Sequence, residues 1–437
     1  MKNKILTAIL LLVIPLFLTA CSLSDIPVIG KYFGGGSGNA PKQGVPVSLN
    51  MWGLWETPDI MEVLIKNYQT QNSLVTVNYE DRSINNPNSY KESVFTRIKQ
   101  GDLPDIIMVH NSWVPFLKDY LEPAPSDVIA TADYLQRFYP VAAESSVVDG
   151  RVYAVPAHHD GLVLVYNKDH FDEIDQVSPP TAWEEFRRVA LALTIRTNEE
   201  GLVRAGAAIG SANNIDFFSD IVGLMFAQAG VSVPSGIDSR AAQDALSFYT
   251  IFLKSDEVWS ESFPEASKAF SAGKVSMIFV PTWNLLDIVR ANPGMNIGVA
   301  PVPQAVAERP VSWGSFWMYA VPKSGSNSRA AWEFINFISK DDQQLALFNE
   351  ASKYRPYGAP FSSVTLAQQA GQSASSQYIK PILNTAPFAK SSVFAARAGN
   401  TTEVEALRTA VNAVLSGEVT SEQALKTCKE TIVGTPQ

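Results

Sequence analysis

Apolar and polar positions change period several times in the first third of the chain. The run "VPVSLNMWG", which starts at Val45, reads as a strand, and the "DIMEVLIKNYQTQ" that follows repeats its apolar positions at helical spacing. "VTVNYE" returns to the strand pattern, "YKESVFTRIKQG" is helical and closes on Gly101, and "PDIIMVH" is a short continuous apolar run, the mark of a buried strand. Strands alternating with helices predict an α/β domain built on a largely parallel sheet, whose ligands bind beyond the carboxyl ends of the strands. The loops that leave those strands are therefore the places to look for chemistry.

Those loops are rich in aromatic and polar residues. Trp52, Trp55 and Glu56 follow the first strand; His110, Asn111, Ser112 and Trp113 follow "DIIMV"; His158, His159 and Asp160 follow "RVYAVP". Flat rings cover the apolar faces of sugar rings, while carboxylates, amides and imidazoles pair with hydroxyls. The competing reading places the tryptophans on the general surface or in a second core.

The first twenty residues break the alternation. Lys2 and Lys4 precede "ILTAILLLVIPLFL", and Leu18, Thr19, Ala20 and Cys21 follow it. Charge, apolar run and small residues in that order are an export signal, too short and wrongly flanked for a spanning helix. Its end resembles the lipobox of bacterial lipoproteins, which implies that residues 1–20 are a signal peptide and that Cys21 is the lipidated N-terminus of the mature chain. "GKYFGGGSGNAPKQGVP" then reads as a flexible tether over residues 21–44. Loss of the two lysines moves the net charge from −9 to −11. An acidic exported chain lacks the clustered Lys and Arg that phosphate contacts need, so no nucleic-acid partner is expected. Cys428 is the only other cysteine, and a lipidated Cys21 leaves it no internal partner.

Five stretches carry a resemblance. "GDLPDIIMVHNSWVPFL", "VVDGRVYAVPAHHDGLVLVYNKDHFDE", "PPTAWEEFRRVALALT", "KAFSAGKVSMIFVPTWNLLDI" and "APVPQ" with "WGSFWMYAVPKSGSNSRAAWEFINFI" occur in the order and spacing of the family 1 extracellular solute-binding proteins. These are receptors of ABC importers related to maltose-binding protein. The resemblance covers nearly all of residues 45–437. It implies a two-lobed type II periplasmic binding protein fold with a ligand cleft between lobes joined by crossing hinge segments. Lobe one is then expected over 45–157 and 316–360, and lobe two over 158–315 and 361–437. Crossings are expected near Pro156 and Ala157, near "WGSFWMYAVPK" and near "YRPYGAPF".

The resemblance also directs attention to single residues. Trp283 in "VPTWN" stands where the family commonly places a ring that stacks on sugar. Trp313 and Trp317 flank "GSF", where relatives often have a Gly-rich turn; Ser315 and Phe316 depart from that pattern and leave open which ring meets ligand. Asn213, Asn214 and Asp216 precede a helix and serve either as caps or as hydroxyl contacts. Arg355, next to Tyr354, offers a planar fork of donors, and Asp81 a further carboxylate. Trp183, behind a Thr181 cap, and Trp332 stand at helical core spacing and are read as structural.

The doublet His158–His159 raises the question of a metal. Neighbours on an extended segment point to opposite sides, so the two imidazoles are not expected to chelate one ion, and no metal or other cofactor is assigned. There is no HExxH, phosphate loop, G-x-S-x-G or CxxC, so no catalytic residues are assigned. The expected protein is a monomeric, lipid-anchored receptor that takes a small carbohydrate to a membrane permease. Stacking is assigned to Trp52, Trp55, Trp113, Trp283 and one of Trp313 and Trp317. Hydrogen bonding is assigned to Glu56, Asp81, Asn111, His158 or His159, Asp160, Asn214 and Arg355. Two alternatives remain at this level: a carbohydrate-cleaving surface lipoprotein, and a receptor for a non-sugar solute such as a polyol phosphate. Cys21→Ser is expected to abolish lipid labelling and to leave the protein soluble or uncleaved, because a tether without acyl chains has no grip on a bilayer. Labelling that survives the substitution refutes the anchor.

Overall fold

Two sheets organise the chain, each wrapped by helices. The structure, a computed structural model, describes residues 44–355, 358, 360–370, 378–396 and 398–434. The signal segment, Cys21 and the tether up to residue 43 lie outside the described residues. All those described belong to one unit, Ala40–Gln437.

In the first sheet Val47–Gly53 pairs in parallel with Val75–Asp81. It joins Ile107–His110 through the parallel bridge Met51–Ile106, with Trp52 N–H donating to the Ile106 carbonyl at 2.9 Å. Trp317–Ala320 then lies between Ile107–His110 and Ala154–Pro156, antiparallel to both. In the second sheet Leu162–Asn167 is central and antiparallel to Met277–Pro281 and Ile297–Ala300. The largely parallel sheet expected from the alternation is thus mixed in the first case and antiparallel in the second. A strand that arrives from the other sheet, as Trp317–Ala320 and Leu162–Asn167 do, enters from the opposite end and runs the other way.

Local chemistry sets the helix ends. Helix Pro87–Gln100 starts with the Asn86 side chain accepting from Ser89 N–H at 2.9 Å, and it stops at Gly101, whose φ of 70° is the left-handed cap that glycine adopts at little cost. The expected Thr181 cap does not form. Helix Trp183–Leu193 begins after Ala182, and Thr181 N–H instead donates to the Glu185 carboxylate at 3.0 Å, because the acidic first turn reaches back to it. Trp183 packs among Phe186, Phe248 and Phe279, and Trp332 is fully buried, so both belong to cores.

Helix Pro58–Gln71 covers the first sheet, with Tyr68 edge-on to Phe334 and Phe337 of helix Ser328–Ile338. Helices Phe218–Gln228, Arg240–Lys254, Thr401–Ser416 and Ser421–Gly434 pack together on the second side. Helix Val364–Ala370, expected in lobe two, packs instead on Thr131–Arg137, and Ser363 bridges Phe138 of the first side.

Three stretches run side by side between the sheets. Ala157 N–H donates to the Trp317 carbonyl at 3.0 Å, Ser315 N–H to the Asp160 carbonyl at 2.9 Å, and Gly314 N–H to the Lys390 carbonyl at 2.8 Å. Their approach is close enough that a Cβ on Gly161 would stand 1.7 Å from the Trp313 carbonyl oxygen. Gly161→Ala must push the strands apart, and a loss of about 1–3 kcal/mol in chemical denaturation is expected, as for other overpacked sites. An unchanged midpoint would show that the strands separate freely.

Candidate functional site

The loop after the first strand holds a strained tryptophan. Trp55 has φ 72°, a left-handed conformation that costs a bulky residue roughly 1–2 kcal/mol and persists only where its surroundings hold it. Here the hold is a relay: Trp55 N–H donates to Ser83 Oγ, and Ser83 in turn donates to Asp81 through its N–H at 2.9 Å and through its hydroxyl. The Trp55 ring meets Trp317 edge-on at 6.2 Å and stays 42% exposed.

On the other side, strand Met277–Pro281 ends in the single turn Thr282–Asn284, which leads into helix Leu285–Ala291. The Asp160 carboxylate caps that turn. It accepts from Thr282 N–H and Oγ1, both at 2.9 Å, from Trp283 N–H at 3.3 Å and from Gly161 N–H at 2.7 Å. Burial nevertheless pushes Asp160 up to about 6. The cap fixes Trp283, which packs edge-on to Phe217 at 5.6 Å and remains 37% exposed.

These two corners enclose a cavity of about 760 Å³, lined from one side by Trp55, Glu56, Asp81, His110, Trp317 and Arg355, and from the other by Thr282, Trp283, Leu286, Asp287 and Arg290. His158, Asp160 and Ser315 of the connecting stretches also line it. Arg355 Nη2 donates to Glu56 Oε1 at 2.6 Å. Burial raises the Glu56 pKa and the Arg355 guanidinium opposes the rise. Ser112 N–H donates to His110 Nδ1 at 3.2 Å, so the proton sits on Nε2, which donates to Ser315 Oγ at 3.1 Å. Burial, and next the Arg355 charge, push His158 down to about 4, so its imidazole is neutral.

Eight of the fourteen residues assigned to stacking or hydrogen bonding in the sequence thus meet at one cavity: Trp55, Glu56, Asp81, His158, Asp160, Trp283, Trp317 and Arg355. Six do not. Trp52 is buried beneath two guanidinium groups, Arg82 at 4.5 Å and Arg97 at 5.6 Å from its ring. Asn111 binds the connecting stretches: its carbonyl oxygen accepts from Phe316 N–H at 3.2 Å and its amide donates to Ser391 at 2.9 Å. Trp113 is fully buried and donates to the Ala398 carbonyl at 2.7 Å. Trp313 wedges against Gly223 and donates to Asp220 at 2.7 Å, which leaves Trp317 as the ring of that pair at the cavity. Asn214 neither caps a helix nor reaches the cavity; it ties a loop through Trp259 Nε1 at 2.8 Å and the Ser260 and Phe263 carbonyls, both at 3.0 Å. His159 faces away from His158, buried between Tyr139 and Phe316.

Asp160 is in the wall, but its oxygens already serve backbone and Thr282 donors. Leu286, Asp287 and Arg290 were missed in the sequence although they stand three, four and seven residues after Trp283, the spacing of one helix face. Among the described residues no group of three His, Cys, Asp or Glu is placed to hold a metal ion.

Comparison with known proteins follows from this geometry. The sequence model of the family described as bacterial extracellular solute-binding protein matches residues 55–345. A maltotriose-binding protein of Pyrococcus abyssi (strain GE5 / Orsay) is 24% identical over 265 residues, 57% of this chain and 54% of that protein. An ABC transporter solute-binding protein from Thermotoga lettingae TMO bound with α-D-tagatose superposes with a TM-score of 0.67 at 21% identity, covering 88% of this chain and 98% of that one. A cyclo/maltodextrin-binding protein complexed with maltotetraose reaches 0.72 at 18% identity, over 91% and 100% of the two chains. The fold is accordingly the two-lobed one of these binding proteins. Among the described residues no helix is long and apolar enough to cross a membrane.

The buried imidazoles make stability depend on pH. Burial holds His110 and His159 each to about 3, far below the ordinary value of 6.5. The stability they confer is complete above pH 6.5 and is lost as pH falls toward 3, at up to about 1.4 kcal/mol per pH unit for each. Asp160 acts in the opposite sense, since its raised pKa favours the fold below its ordinary 3.8 and this advantage is lost as pH rises through 6. These two histidines, with His158 held to about 4, outweigh it, so denaturation at pH 6.5 and at pH 5 is expected to differ by about 3–4 kcal/mol in favour of the higher pH. Equal stability at both would mean that the fold accepts charged imidazoles.

Proposed function

Because this chain belongs to the bacterial extracellular solute-binding protein family, we propose that it captures a small carbohydrate between its two lobes and presents it to an ABC permease. The observation that carries this reading is the pair of exposed tryptophans, Trp55 and Trp283, which line one cavity from opposite sides. Each supplies a broad apolar face for a sugar ring, and Glu56, Asp81, His158 and Arg355 stand around them as hydroxyl partners. The cavity volume falls within the usual range for small-ligand sites, about 300–1,000 Å³. The relatives named above support the same class of solute.

The work is binding coupled to movement. A ligand that touches Trp55 on one lobe and Trp283 on the other favours the closed arrangement by its differential affinity for it. We take lobe one as 45–157 with 316–355 and 360–370, and lobe two as 158–315 and 401–434, with the third crossing at 389–396 in place of the one expected near "YRPYGAPF". Asp160 and Trp317 position the two exposed rings. Cys21 carries the lipid that holds the mature chain, as a monomer, on the outer face of a membrane, and no chemistry is done on the ligand.

A thermal-shift screen over a carbohydrate panel tests this directly. A ligand at a hundred times its dissociation constant adds about 2.7 kcal/mol of stability. In the same assay Trp283→Ala is expected to weaken sugar binding by about 2 kcal/mol, as loss of a central aromatic anchor does, with the fold retained. A variant that binds as well as wild type, or that fails to fold, assigns Trp283 to packing.

A further inference from the structure

The pairing of Glu56 with Arg355 suggests what kind of sugar the cavity accepts. Glu56 leaves the loop after the first strand, and Arg355 follows helix Asp341–Ala351, so 299 residues of sequence separate the partners. Their contact is short, 2.6 Å, and their side chains are only 12% and 16% exposed. Each keeps one polar atom in reserve: Glu56 Oε2 and Arg355 Nε are buried without a hydrogen-bond partner among the described residues. Both residues line the cavity.

We propose that this pair makes the cavity prefer uncharged sugars to anionic ones, because it offers an acceptor and a donor whose charges already compensate each other. The inference rests on the carbohydrate reading above and narrows it. A neutral sugar uses the pair without disturbing it: one hydroxyl donates to the spare carboxylate oxygen and another accepts from the spare guanidinium N–H. An anionic sugar, whether a uronate or a sugar phosphate, has to draw Arg355 from Glu56 and leave that carboxylate buried and unpaired. Asp81 and Asp160 in the same wall add negative charge against it, while Asp287 and Arg290 stand exposed at the cavity and offset each other. His158 supplies no positive charge, being neutral.

Glu56→Gln provides the test, because it removes the compensating carboxylate and leaves Arg355 free for an anion. Calorimetry is run on wild type and variant with maltose, maltotriose, mannobiose and tagatose as neutral probes, and with glucuronate, galacturonate, maltobionate and glucose 6-phosphate as anionic ones. Wild type is expected to bind at least one neutral probe and to discriminate against every anionic one by on the order of a hundredfold. In Glu56→Gln the neutral-to-anionic ratio is expected to fall by at least about tenfold, with an anionic probe gaining affinity outright. The double variant Glu56→Gln, Arg355→Gln lacks the guanidinium that the first substitution frees, so it should lose that gain. The wild-type comparison keeps the idea testable if the single variant folds poorly with its guanidinium unpaired. An unchanged ratio in Glu56→Gln, a gain for an anionic probe that survives in the double variant, or a wild type that binds an anionic probe within tenfold of its best neutral one, overturns the proposal. A wild type that binds no probe of either class overturns the carbohydrate reading itself, and this inference with it.

Discussion

The buried carboxylate of Asp160 is the contact on which the site depends. It lies in the first connecting stretch, and its two oxygens gather Gly161 N–H, Thr282 N–H, Thr282 Oγ1 and Trp283 N–H, while its own carbonyl accepts from Ser315 N–H of the second stretch. One residue therefore fixes the path of the hinge, the start of helix Leu285–Ala291 and the pose of Trp283. Desolvating a carboxylate is expensive, and four donors repay it only in part, since Asp160 remains displaced upward to about 6. A residue so engaged positions the cavity wall and has little capacity left for a ligand.

A second set of contacts ties the C-terminal stretch to the first side. Asn111 joins Phe316 and Ser391, Trp113 donates to the Ala398 carbonyl, and Lys91 donates to Asn400 at 2.7 Å. Asn400 in turn donates to Ser112 Oγ at 3.1 Å. Polar groups buried at a junction must be satisfied there, and the chain meets this need with side chains that carry the look of ligand contacts in the sequence. The consequence is a firm attachment at one margin of the cavity, with two exposed rings held on opposite sides of it.

The periodicities in the sequence determined the elements, since each depends on neighbours in the chain. Strand Val47–Gly53, helix Pro58–Gln71 and the stop at Gly101 follow from local apolar spacing, proline and glycine. The rule that ligands gather beyond strand ends also led to loops that line the cavity, because that rule needs only the order of elements. Within each loop the sequence did not decide which side chain turns inward. Alternation tells that His158 and His159 part company, as do Trp52 and its neighbours, but it gives relative facing without an absolute direction.

That direction came from partners hundreds of residues away. Trp317 reaches the cavity and Trp313 does not because Asp220 and Gly223 of helix Phe218–Gln228 hold the latter. Asn111 and Trp113 are withdrawn from the site by Phe316, Ser391 and Ala398, and Glu56 is matched to Arg355 across 299 positions. The direction of the sheets was settled in the same way, since a strand's sense depends on which sheet the chain has just left. The sequence by itself thus specified elements, order and the stock of aromatic and polar groups. Only the tertiary structure chose among them, because burial and hydrogen-bond satisfaction are properties of groups brought together by folding.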